Sequence, residues 1–109
     1  MLFNGAHAAQ PLFFDAESKT ARVDLNGDGQ EESIVRVREE AGFSYRVSAG
    51  DVMLGELRGQ NLMLGDGRHH GVRNLLLFND AYNDFRYSIY EWDAMAQRYN
   101  EKEDSEKRD

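Results

Sequence analysis

The residues best equipped for chemistry fall in one short run, Asp24-Leu25-Asn26-Gly27-Asp28-Gly29-Gln30-Glu31-Glu32. Side-chain oxygens of Asp24, Asn26 and Asp28 occupy positions 1, 3 and 5 of that run, and Gly29 stands at position 6. A Ca²⁺ ion takes about six to eight hard oxygens at roughly 2.3–2.6 Å, and a tightly curled loop aims alternate residues inward to supply them. A glycine at the sixth position permits the sharp turn that brings the Gln30 carbonyl round to the same point. The same run also reads as a turn that binds nothing, because Asn-Gly and Asp-Gly are strong turn formers on their own. Against the empty turn stands the repulsion among carboxylates held at the spacing a cation requires. The spacing favours a cation.

An EF-hand would continue to a bidentate Glu at position 12 and would be flanked by helices. This chain has Val35 at that position, within the strand-like Ile34-Val35-Arg36-Val37. Its last loop carboxylate comes earlier, as Glu32 at position 9, directly before that segment. The layout DLNGDGQEE followed by SIVRV resembles the VCBS and FG-GAP repeat family, whose members hold Ca²⁺ in a short loop between two strands of a β-sheet. The resemblance implies ligands at Asp24, Asn26, Asp28, the Gln30 carbonyl and Glu32, with Glu32 standing where the family usually has Asp. Downstream, GVRNLLLF (71–78) and YSIYEWDAMAQRY (87–99) resemble the C-terminal half of small exported bacterial proteins carrying one such loop. There Asn74 replaces the usual Asp and Ala94 the usual Gly. The two resemblances span roughly residues 20–100. They imply a periplasmic or secreted protein with calcium in a structural role, and no particular activity.

Other candidate chemistry is thinner. His69-His70 offers imidazoles, but neighbouring residues on a strand point to opposite faces, and the surrounding stretch reads as an exposed loop. Carboxylate pairs such as Asp80 and Asp84 arise by chance in a chain with 20 acidic residues. No nucleophile elbow, phosphate loop or HExxH motif occurs, so a non-catalytic protein is expected. Gly65-Asp66-Gly67 echoes Gly27-Asp28-Gly29, yet Leu62 and Leu64 occupy its ligand positions, so it coordinates no metal. Aromatic residues gather late in the chain. Most are expected to fill the core, and Tyr82 and Trp92 are the leading candidates for a protein-facing patch.

The elements that must position these groups are short β runs punctuated by glycine. Alternation or continuous apolar sequence marks strands at 33–38, 43–48, 52–54, 61–64, 74–78, 85–92 and 98–100. NLLLF (74–78) is apolar on both faces and belongs at the centre of a sheet. Asp93 to Gln97 reads as a hairpin turn, although Ala94 to Arg98 are also good helix formers behind a capping Asp. The expected fold is therefore all-β. It is a small antiparallel domain of about seven short strands, blade-like, with too few residues for a closed propeller.

Composition bounds the rest. With 109 residues the chain makes one domain, and 40% hydrophobic residues give it a modest core. A net charge of −7 argues against nucleic acid and against anionic membrane surfaces. No apolar run reaches the roughly 20 residues of a membrane span, and the absence of cysteine excludes disulfides and thiolate sites. Residues 1–10 read as a flexible N-terminus or the remnant of a signal peptide, 11–100 as the β domain, and 101–109 as a polar charged tail. A second reading of the whole is an acidic interaction module of the inhibitor or immunity type, which binds an envelope enzyme or another protein through complementary charge.

Overall fold

A computed structural model of the chain describes residues 10–78 and 87–102. They form nine antiparallel strands: β1 (Gln10–Pro11), β2 (Thr20–Val23), β3 (Glu32–Glu39), β4 (Gly42–Ala49), β5 (Val52–Gly59), β6 (Asn61–His69), β7 (Val72–Phe78), β8 (Tyr87–Asp93) and β9 (Arg98–Glu101). Seven of them overlie the segments read from the sequence. The additions are β1 and β2, both too short to carry a repeating pattern. The all-β expectation holds, and no helix occurs among the described residues.

The strands divide into two sheets. One is the meander β2-β3-β4-β5, and the other is the meander β6-β7-β8-β9 with β1 added beside β6. They close into neither a barrel nor a propeller. NLLLF lies on β7, the third of five strands, and Leu75, Leu76 and Leu77 are all buried. Alternation on β4 explains how the sheets meet, with Ser44 the exception, on the outer face yet 0% exposed. Phe43, Tyr45 and Val47 turn toward the second sheet, while Arg46 on the other face is exposed. Ile34, Tyr45, Val47 and Leu57 from the first sheet interlock with Leu62, Leu64, Leu75, Leu77 and Tyr99 from the second. The core is the seam between the sheets.

Several connections are tight. From β5 to β6 the chain crosses between the sheets at the single residue Gln60, whose N–H donates to Phe78 O at 2.8 Å and whose side chain donates to Ala41 O at 2.9 Å. His70 and Gly71, with φ of +55° and +82°, form the two-residue turn between β6 and β7. Between β8 and β9 the hairpin reading is correct. The Asp93 carboxylate accepts from the N–H groups of Met95 and Ala96, and Gln97 N–H closes the turn on Asp93 O at 2.7 Å. Among the described residues no helix is long and apolar enough to cross a membrane.

Candidate metal centre

Residues 24–31 connect β2 to β3, and Val23 pairs with Glu32 across the base of the loop. Asp24 curls it. One carboxylate oxygen of Asp24 accepts from Gly27 N–H at 2.8 Å and Asp28 N–H at 3.3 Å, and the other accepts from Gly29 N–H at 2.8 Å. These donors, Gly29 first, hold the Asp24 carboxyl below the usual carboxylate range, with the nearby Arg68 guanidinium adding a smaller push in the same direction. Gly27 and Gly29 sit at φ of +76° and +90°, a region where a side chain would be strained. Two Asx turns complete the curl: Asn26 Oδ1 accepts from Asp28 N–H at 3.2 Å, and Asp28 Oδ1 from Gln30 N–H at 2.9 Å.

Glu32 joins this group from the strand side. As the first residue of β3 it is only 5% exposed, and its Oε1 accepts from Leu25 N–H at 2.6 Å. One carboxylate oxygen each from Asp24, Asp28 and Glu32 lie within 4.8 Å of one another. Two oxygens bound at about 2.3–2.6 Å to a single ion can be separated by no more than roughly 5 Å, so the three are close enough to share one. The donor set is all hard oxygen, which suits Ca²⁺, Mg²⁺ or Mn²⁺ and not a soft metal. The structure thus brings together the three predicted carboxylates. The Asn26 amide oxygen stays within the loop, turned to Asp28 N–H, and Gln30 enters the hydrogen-bond pattern through its N–H.

What sequence reasoning missed is the loop's anchor. Leu25, at position 2, is 1% exposed in the core between the sheets. Its carbonyl accepts from Arg73 N–H of β7 at 2.8 Å, so the loop of the first sheet is tied to the second. Arg73 O in turn accepts from the Tyr99 hydroxyl at 2.7 Å. A lone leucine among acids and amides was the available signal.

The aromatic candidates fare differently. Tyr82 lies outside the described residues, as do Asp80 and Asp84. Trp92 is half-buried, packs edge-to-face on Tyr99 at 5.6 Å between ring centres, and leans on the core. It also lines an open concavity of about 510 Å³ with His69, His70, Asp93 and Met95. The two histidine rings stack edge-to-face, 4.7 Å apart. Comparison of the chain with family models, with curated proteins and with solved structures finds no match.

Proposed function

We propose that the chain is a non-catalytic calcium-binding β module of the VCBS and FG-GAP kind, exported to a calcium-rich compartment, in which the ion has a structural role. The observation that carries this reading is the convergence of Asp24, Asp28 and Glu32 on one point at the end of the β2–β3 hairpin. Calcium is favoured over magnesium because the loop offers carboxylate, amide and carbonyl oxygens, a mixed set that Ca²⁺ accepts in irregular geometry, whereas Mg²⁺ demands near-ideal octahedral geometry and gives up its waters reluctantly. In this reading Asn26 and the Gln30 carbonyl supply further oxygens.

The ion would offset the repulsion among the loop carboxylates and clip β2 to β3. Through Leu25 it would also firm the junction with β7. A ligand that binds only the folded chain stabilises it by about 0.4–1.4 kcal/mol at one to ten times its dissociation constant. Extracellular-type sites have dissociation constants of about 10⁻⁴–10⁻³ M, so millimolar calcium should raise the melting midpoint by several degrees. Thermal melts in calcium, magnesium and chelator test the proposal. The expected result is a rise in calcium, a smaller one in magnesium, and no calcium response in Asp28→Ala. An unchanged midpoint at millimolar calcium would overturn it.

A further inference from the structure

The first sheet ends on β5, which is eight residues long and has no strand paired on its outer side among the described residues. The remaining edge strands are much shorter: β2 and β9 have four residues each and β1 has two. The underside of β5 is covered, since a Cβ on Gly55 would come within 3.3 Å of Tyr99 Cβ. Its lateral row of N–H and C=O groups has no strand partner among the described residues. Long open edges are templates for pairing, and proteins usually blunt them with bulges and charges. Here the bulge lies at Leu54, the extra residue opposite the Val47–Ser48 step. The charges are Glu56 and Arg58, which share the face turned away from the core.

Those charges are complementary to themselves once the strand is reversed. If two copies of β5 lie antiparallel with Leu57 opposite Leu57, Glu56 of each faces Arg58 of the other, twice over. Moving the axis by one residue, to Glu56 or to Arg58, sets like charge directly against like. Half-steps between these registers place core-facing residues of one copy opposite outward-facing residues of the other. The existing ion pairs of Arg58 with Glu39 at 3.3 Å and Glu56 at 3.4 Å, and of Arg46 with Glu56 at 3.6 Å, are exposed and weak, while one Glu56 carboxylate oxygen also accepts from the buried Ser44 hydroxyl at 3.0 Å. In this register the paired residues are Gly55 to Gly59, and Val52 and Met53, 59% and 51% exposed at the head of the strand, lie beyond the pairing.

We propose that β5 is a homodimer interface, formed by antiparallel pairing with β5 of a second copy about a two-fold axis at Leu57. It joins the two four-stranded sheets into one continuous sheet. The contact is isologous and closed, so it stops at two chains. This inference is independent of the calcium reading.

Sedimentation velocity over a concentration series tests it, with circular dichroism to confirm that each variant is folded. The wild type should pass reversibly from monomer to dimer. Glu56→Arg and Arg58→Glu should each raise the dissociation constant at least about tenfold, because each sets two like-charge contacts in place of two attractive ones. Mixing the two variants should restore the dimer, since a strand with both charges positive then faces one with both negative. Hydrogen exchange of the wild type needs no variant, and protection of the β5 amides should rise with protein concentration. A wild type that stays monomeric, a mixture that stays monomeric, or β5 protection independent of concentration would each overturn the interface.

Discussion

At the scale of single residues, the loop separates groups that set its shape from groups free to do something else. Asp24 spends both carboxylate oxygens on loop N–H groups, whereas Glu32 holds only Leu25 N–H. Glu32 is placed by strand alternation, which turns residues 31 and 33 to the opposite side. Glu32→Gln keeps the acceptor for Leu25 but removes the charge. It should therefore weaken calcium binding by calorimetry, and Glu31→Gln should leave it unchanged. The reverse result would mean that the ion is held one residue away. Leu25→Ala tests the anchor: removing a leucine that is 1% exposed should cost about 2–5 kcal/mol of stability in denaturant melts, with calcium absent. The acidic positions were legible in the sequence because their spacing is local chemistry. The anchor was not, because Leu25 is buried in a core shared with the second sheet and its carbonyl is held by Arg73 N–H, both distant in the chain.

At the scale of elements, what could be read from the sequence was what repeats over several residues. The alternation FSYRVS and the run NLLLF became β4 and β7, the latter in the middle of its sheet as its two apolar faces require. By contrast, TARV offers too little pattern to separate a strand from a loop, and Gln10–Pro11 is a strand only because β6 lies beside it. The choice between helix and hairpin after Asp93 was settled by the pairing of Asp93 with Arg98 and Trp92 with Tyr99. Helix propensity yields where strand pairing and aromatic burial oppose it. The turn at His70-Gly71 gives an element-scale prediction. Its φ values suit Asn-Gly better than His-Gly, so His70→Asn should stabilise the β6–β7 hairpin by about 0.4–1 kcal/mol, read as a higher denaturation midpoint. A lower midpoint would show that the His70 ring, stacked on His69, contributes more than the backbone preference.

At the scale of the whole molecule, the partition of strands between two sheets was not legible. It follows from which faces meet across the seam, and no local pattern states that. The seam makes a further prediction through its phenols. Burial pushes the hydroxyls of Tyr45, Tyr90 and Tyr99 above their ordinary value, and Tyr99 is raised furthest, with the negative charge of Glu32 adding to the effect of burial. A group whose folded pKa is raised gives its full stabilisation below the unfolded value, about 10 for tyrosine, and loses it as pH climbs through the folded value. The acid side has the opposite sign. Backbone N–H groups, led by those of Ser18 and Ala96, hold the exposed Asp15 and Asp93 low. Their contribution is present above about pH 4 and fades as pH falls through the depressed values. In chelator, stability should thus be nearly flat through neutral pH and fall on the alkaline side from about pH 10. Tyr99→Phe should flatten that alkaline fall while lowering neutral-pH stability by about 1 kcal/mol, because Arg73 O loses its hydroxyl donor. Denaturant melts of both proteins between pH 7 and about 11 decide it. An alkaline limb equally steep in Tyr99→Phe would place the responsible proton outside the seam.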